Sequence, residues 1–389
     1  MKDAAPYRVA ATPTPYPSPQ GGGGSANAAL YRHLDEMAPW DDRLQVLEVI
    51  GVTEEAPDVR TFTFRSDAQT WFRYKPGQFV TLELPVGPEP LLRTYTLSSS
   101  PSRPFSIAVT VKAQAGSVGT RWMFENLKPG AHVRAHGPAG GFTHHDHPAA
   151  KYLFVSAGSG VTPMMSMLRW FSDCAPWTDV AFVNCARRPE EIIFRKELEL
   201  LGSRMPGLSL GFLIEERSSR ESWFGHMGRI DAVRLPLLSP DFREREVFCC
   251  GPEPFMRAVR GMLEAAGFDM AHYHQESFAA PAPAPAPVDV EALAAEPGAP
   301  AQEALPIRFS SSDATGECLP GQTILQAARA AGVRIPAACE FGLCGTCKTM
   351  KLAGEVEMAH NGGILDDEIA EGFILACCSK PLTAVEVAA

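Results

Sequence analysis

No stretch of eighteen apolar residues occurs in the 389-residue chain, so no bilayer-spanning helix is expected. Basic charge is in short supply. The 35 Lys and Arg against 45 Asp and Glu leave a formal net charge of −10 and a pI near 5.5. A nucleic-acid partner needs a basic stripe to displace phosphate counterions, so that class is set aside. The first 40 residues lack the apolar core of a secretion signal, which points to the cytoplasm. They carry Pro13, Pro15, Pro17 and Pro19 followed by Gly21 to Gly24, the composition of a disordered tail. Residues 280–304 contain no Lys or Arg and are dominated by Ala and Pro. Such a segment cannot build a core and reads as a semi-rigid linker.

What remains divides into three parts. From residue 41 to 148 short runs rich in Val, Ile, Thr and Phe alternate with Gly and Pro turns: Leu44–Val52, Val59–Phe64, Gln78–Leu84, Arg93–Leu97 and Phe105–Val111. This spacing predicts an antiparallel β-barrel or sandwich. Over 149–279 strands (Tyr152–Ala157, Val180–Asn184, Leu208–Ile214, Glu246–Cys250) alternate with helices (Val161–Phe171, Glu190–Leu201, Glu253–Ala266). That is the pattern of an α/β domain with a mainly parallel sheet. Residues 305–389 form a small α+β domain behind the linker, with a helix expected from Ile324 to Ala331.

Ten cysteines in a chain of this length do not make a disulfide framework, and their crowding towards the C-terminus points to metal. Cys339, Cys344 and Cys347 follow a C-x4-C-x2-C spacing, and Cys377 comes after twenty-nine intervening residues. This is the spacing of a plant-type [2Fe–2S] site, in which one tight loop supplies three of four thiolates. Gly342 and Gly345 let the loop curl so that amides can face sulfur. Structural zinc also takes four cysteines but favours paired C-x2-C knuckles, and only one occurs here. Cys378 reads as a buried thiol beside the ligand Cys377, and Cys174, Cys185, Cys249 and Cys318 as core. PAACEFGLCGTCK and FILACCSKP resemble a plant-type ferredoxin domain, except that Glu340 stands where plant ferredoxins usually carry Arg.

Within the barrel, Arg93, Thr94, Tyr95 and Thr96 share a predicted strand. Alternation puts Arg93 and Tyr95 on one side, a cation for a phosphate and a ring for an isoalloxazine face. Gly116 to Thr120 form a Gly-rich loop before an expected helix Arg121–Leu127, a natural phosphate site. KPGQF, RTYTLSSSP, GSVGT and GPAGGF together resemble the ferredoxin–NADP reductase superfamily. The resemblance implies that Tyr95 stacks on flavin, Arg93 binds its phosphate, Thr96 bonds near the reactive nitrogen, and Gly119 and Thr120 hold phosphate. FAD is the expected flavin, although a sister class with the same domain order uses FMN.

Gly158-Ser159-Gly160-Val161-Thr162-Pro163 follows a strand and opens a helix. Two glycines admit a dinucleotide closely, but the full G-x-G-x-x-G fingerprint is absent. Cys249-Cys250-Gly251-Pro252 ends another strand. The resemblance places Thr162 and Cys250 near the nicotinamide, with Gly251 and Pro252 in the same turn, and Glu276 beside the flavin. Arg187 and Arg188 could meet the adenosine end or be solvated; NADH is expected over NADPH. His144, His145 and His147 read as solvated loop residues rather than a metal site.

Hydride carries two electrons and a [2Fe–2S] centre takes one; flavin connects the two. The set implies an electron-splitting oxidoreductase that needs no nucleophile or triad. EREVFCCGPEPFM, YHQESF and AHNGGILDDEIAEGFILACCSKP are similar to reductase subunits of Rieske monooxygenases that demethylate quaternary ammonium compounds. That resemblance implies a separate oxygenase as electron acceptor. A reductase for a hybrid-cluster protein and a redox-sensing or electron-carrier module are the alternatives. The third domain holds ten acids and six bases, a net of −4, which either steers it to a basic partner or keeps it soluble.

Overall fold

The structure, a computed structural model, describes residues 38–39, 45–66, 70–88, 90–278, 304–337, 340, 342, 345–360, 363–364 and 366–389. The expected tail and linker fall almost wholly outside these residues.

Among the described residues the first sheet runs in the order Leu91–Thr96, Phe79–Leu84, His132–Ala139, Gln45–Ala56, Val59–Ser66, Ile107–Lys112, antiparallel throughout. An antiparallel bridge between Leu97 and Val109 joins its two outer strands and closes the barrel. Leu47, Phe62, Phe64, Leu82, Leu84 and Ile107 are fully buried inside it. Each such side chain contributes roughly 1.5–3 kcal/mol on leaving water. All five strands expected from the sequence overlap barrel strands. His132–Ala139 was not expected: it buries only Val133, Ala135 and Gly137, set among the exposed His132 and Arg134 and the half-buried His136, a weak apolar signal.

The second sheet is wholly parallel, in the order His226–Met227, Leu208–Ile214, Asp179–Ala186, Lys151–Ala157, Glu246–Cys250, Tyr273–Glu276. The chain leaves Lys151–Ala157 in one direction and later returns to its other side. The resulting switch point lies between Lys151–Ala157 and Glu246–Cys250, where open α/β sheets bind ligands. Helices Val161–Cys174 and Glu253–Ala265 match expectation closely. The helix expected over Glu190–Leu201 instead begins at Arg195, because Pro189–Glu191 form a 3-10 turn and Phe194 takes a left-handed φ of 61°. Cys174, expected in the core, ends its helix exposed. Cys249 and Cys318 are buried, and Cys185 and Cys378 only partly so.

The third domain is α+β. Among the described residues its sheet runs Ala314–Cys318, Leu305–Phe309, Val385–Val387, Lys348–Ala353, Phe373–Leu375, with helix Ile324–Ala330 packed on it. The helix starts at a capping box. Thr323 Oγ1 accepts from the Gln326 amide at 3.4 Å, and Gln326 Oε1 accepts from the Thr323 amide at 2.9 Å.

Candidate electron-transfer site

The barrel brings its expected flavin residues together. Antiparallel register sets Thr81 opposite Thr94, Val80 opposite Tyr95 and Phe79 opposite Thr96. Arg93 is exposed, Tyr95 half-buried on the same side, and Thr96 buried. Burial pushes the Tyr95 phenol up to about 12 despite the opposing Arg93 guanidinium, so the ring stays neutral. The helix after the Gly-rich loop runs Val118–Asn126, starting earlier than expected, because the Ser117 hydroxyl caps it by accepting from the Thr120 amide at 3.3 Å. Gly119 and Thr120 therefore sit in its first turn, where amides lack intrahelical acceptors. A Cβ on Gly119 would lie 3.2 Å from Leu91 and 3.5 Å from the Arg93 side chain. The helix start and the guanidinium strand thus present one anion-binding corner, which fits a flavin phosphate.

In the α/β domain Gly158–Gly160 form a 3-10 turn that runs into the helix, and Thr162 Oγ1 donates to the Ser159 carbonyl at 3.0 Å. A Cβ on Gly160 would stand 2.2 Å from the Cys250 carbonyl oxygen and 2.6 Å from the Gly251 nitrogen. Only glycine lets the two loops touch. Gly251 in turn packs on Ala157 and Phe255, and Pro252 precedes the first residue of helix Glu253–Ala265. Gly160→Ala is expected to cut kcat/KM for the nicotinamide substrate by ~100-fold through displacement of the Cys250 turn, with flavin content preserved. Steady-state ferricyanide reduction alongside flavin absorbance checks both halves.

Parallel register aligns Asn184, Ser156, Cys250 and Glu276 in one row across four strands. All four are buried, and Asn184 Nδ2 donates to Ser156 Oγ at 2.9 Å. Ser156 and Asn184 were not singled out in the sequence; a polar residue near the end of an otherwise apolar strand was the available signal. Glu276 closes the row with both carboxylate oxygens buried and without a hydrogen-bond partner. Burial alone pushes its pKa up to about 8, so it is mostly protonated at neutral pH. An orphaned acid at the C-terminal edge of the sheet suits a cofactor that supplies its missing partner. Burial also holds the Cys250 thiol protonated, with Glu276 adding to the effect.

Of the four cysteines expected to ligate the cluster, Cys347 and Cys377 are described; Cys339 and Cys344 lie outside the described residues. Cys347 and Cys377 are both buried, and the Ala376 amide donates to the Cys347 carbonyl at 3.1 Å, which ties the two segments together. Gly342 and Gly345 take φ values of 76° and 70°, and a Cβ on Gly345 would meet the Gly363 carbonyl at 2.8 Å. These two glycines thus take the left-handed backbone that a tight turn around a cluster calls for. Glu340 pairs with Arg329 at 2.6 Å, so its charge is compensated locally. Thr346, inside the cysteine loop, puts its Oγ1 3.3 Å from Thr81 Oγ1, which itself lies 3.1 Å from Thr94 Oγ1. The cysteine loop and the flavin strand thus meet through hydroxyls.

These three sites coincide with three known domain families. Residues 46–144 match the oxidoreductase FAD-binding domain, 154–261 the oxidoreductase NAD-binding domain, and 307–382 the 2Fe-2S iron-sulfur cluster binding domain. The class is an oxidoreductase that combines flavin, nicotinamide and iron–sulfur domains in one chain. The chain is 51% identical over 354 residues to the stachydrine N-demethylase reductase subunit of Rhizobium meliloti, covering 91% of this chain and 99% of that protein. It is 46% identical over 346 residues to a glycine betaine monooxygenase reductase subunit of Pseudomonas aeruginosa, covering 88% and 94%. It belongs to this family of reductase subunits. Phthalate dioxygenase reductase shares the fold at a TM-score of 0.56 and 23% identity, covering 91% of this chain and all of that one. Among the described residues no helix is long and apolar enough to cross a membrane.

Proposed function

We propose that this chain is the NADH-dependent reductase of a Rieske-type monooxygenase that demethylates a quaternary ammonium compound. The observation that carries this reading is the 51% identity spanning 99% of a stachydrine N-demethylase reductase subunit. The same match favours an oxygenase over a hybrid-cluster protein as the acceptor. FAD is favoured over FMN by the FAD-binding match. NADH is favoured over NADPH because Glu216, 3.0 Å from Arg188 and 3.8 Å from Arg187, offsets one of the two positive charges and would itself repel a 2′-phosphate. A cytoplasmic setting goes with this role.

In this reading Arg93, Gly119 and Thr120 hold the flavin phosphate, Tyr95 covers the ring and Thr94 and Thr96 line it. Gly158, Gly160, Thr162, Gly251 and Pro252 shape the nicotinamide pocket with Cys250 at its floor. Glu276 keeps a proton within the same row of residues. Cys339, Cys344, Cys347 and Cys377 ligate the cluster. Bound flavin accepts an electron pair and gives it up singly. The functional units are 41–148, 149–279 and 305–389, with 280–304 as tether.

The test is reconstitution of the purified reductase with the oxygenase component of a stachydrine or glycine betaine system. NADH-dependent formaldehyde release that requires both proteins is the expected result. A reductase that reduces ferricyanide from NADH but drives neither oxygenase would refute the partner assignment.

A further inference from the structure

Of the three loop histidines that read as solvated in the sequence, His145 is exposed as expected, but His144 is buried and His147 partly so. His144 is buried against Phe171 and Trp170, with ring centroids 4.3 and 4.9 Å away, and burial drives its pKa down to about 3. His147 turns the other way, towards the sheet. Its ring stacks on that of His274 with centroids 3.6 Å apart and planes 27° apart. Phe248 lies behind both rings, 6.0 Å from His147 and 4.9 Å from His274. His274 Nε2 is 2.5 Å from Glu246 Oε1, and His272 Nδ1 is 2.8 Å from Glu246 Oε2. One ligand atom from each of His147, Glu246 and His274 falls within 4.8 Å of the other two.

We propose that His147, Glu246 and His274 form a binding site for a divalent transition metal of the zinc class, distinct from the iron–sulfur and flavin sites. Two imidazoles and one carboxylate are a donor set that zinc takes, with a fourth position left for water. Ligand atoms held at roughly 2.0–2.2 Å from a tetrahedral metal lie about 3.3 Å apart. His274 Nε2 and Glu246 Oε1, now 2.5 Å apart, would therefore separate to admit the ion, and the two stacked imidazoles would splay so that their nitrogens converge on it. The surroundings suit a built site. Glu246 is buried at the start of its strand, and the charged partners it has are histidines alone among the ion pairs of the described residues. His272 holds the second oxygen of Glu246, as outer-shell groups hold ligating carboxylates. The backbone carbonyl of His147 accepts from the Tyr152 hydroxyl at 3.2 Å, and Tyr152 is the register neighbour of Glu246. The connector that bears His147 is thus already moored beside the carboxylate.

The metal would act as a clamp. It would fasten the connector leaving the barrel to two strands of the nucleotide sheet. Glu246 lies about 13 Å along its strand from Cys250, so the site is separate from the reacting edge. His274 is two residues from Glu276 on the same strand. The alternative is a proton-sharing group, in which the carboxylate is satisfied by imidazole N–H donors and no metal enters.

The experiment uses full-length protein loaded with flavin and cluster, treated with EDTA, incubated with zinc sulfate and desalted. Zinc is counted by mass spectrometry, and thermal unfolding is followed in parallel. One zinc per chain and a rise in Tm of about 2–4 °C are expected for the parent. His147→Gln and His274→Gln should each retain at least ~10-fold less zinc and lose the thermal shift. His145→Gln should behave as the parent. Flavin content and NADH-to-ferricyanide turnover of His147→Gln should equal those of the parent, which shows that the variant is folded. Failure of the parent to retain zinc, or full retention by His147→Gln, overturns the proposal.

Discussion

Cys377→Ser is expected to abolish electron delivery beyond the flavin while NADH-to-ferricyanide turnover stays within about twofold of the parent. Serine is nearly the same size as cysteine, so the buried position survives sterically. It removes a thiolate, however, and an alkoxide is a poor and weakly available ligand to iron at neutral pH. The third domain keeps its own core of Ile307, Phe309, Ile324, Leu325, Leu375 and Val387, so the first two domains should not unfold with it. Two measurements suffice: visible absorbance, which should lose its iron–sulfur component and keep the flavin bands, and paired rates with ferricyanide and with cytochrome c or an oxygenase. Loss of both rates would mean that the flavin unit depends on the cluster domain for its fold. Survival of both would mean that Cys377 is not a ligand, and its neighbour Cys378 would become the residue to test.

The second large effect concerns pH. Glu276 has its pKa raised from 4.5 to about 8 by burial. The native state therefore holds this proton more tightly than the unfolded chain does. The stability linked to it is fully present below about pH 4.5 and is lost as pH rises through about 8. The full difference is on the order of 4–5 kcal/mol. Glu276→Gln keeps the shape and removes the titration. Between pH 5 and 9 the parent is expected to lose several kcal/mol of unfolding free energy relative to this variant, with the loss complete above pH 8. Denaturant titrations of flavin-loaded protein at a series of pH values read this directly. Parallel curves for parent and variant would show that the acid is not held protonated in the folded protein.

Much of the fold is legible in the sequence because the barrel and sheet strands are dense in branched and aromatic residues and are punctuated by Gly and Pro. Leu208–Ile214 and Glu246–Cys250 match their expected limits for that reason. Tyr273–Glu276 was missed because YHQE has no apolar alternation; it is a strand only because Glu246–Cys250 offers it a partner. The cysteine spacing and the glycine-bearing loops were equally legible, since one local segment carries each of them. The row Asn184, Ser156, Cys250 and Glu276 was legible only in part. Its members come from four separate strands, and only pairing register makes them neighbours. The protonation of Glu276 and the meeting of His147 with Glu246 and His274 depend on burial and long-range contact, which spacing does not encode.

The hydroxyl contact between Thr81 and Thr346 bears on how the two redox units find each other. A neutral hydrogen bond contributes only about 0.5–1.5 kcal/mol, too little to hold separate molecules together. Covalent continuity raises the effective concentration of one surface at the other into the millimolar range, and at that concentration a weak contact is enough. Because neither hydroxyl is charged, ionic strength leaves this contact alone, whereas in the proposed function it would screen the meeting of the acidic third domain with a basic oxygenase surface. Under the proposed function, inward and outward electron transfer from the cluster would then answer to different variables, chain connectivity for one and salt for the other.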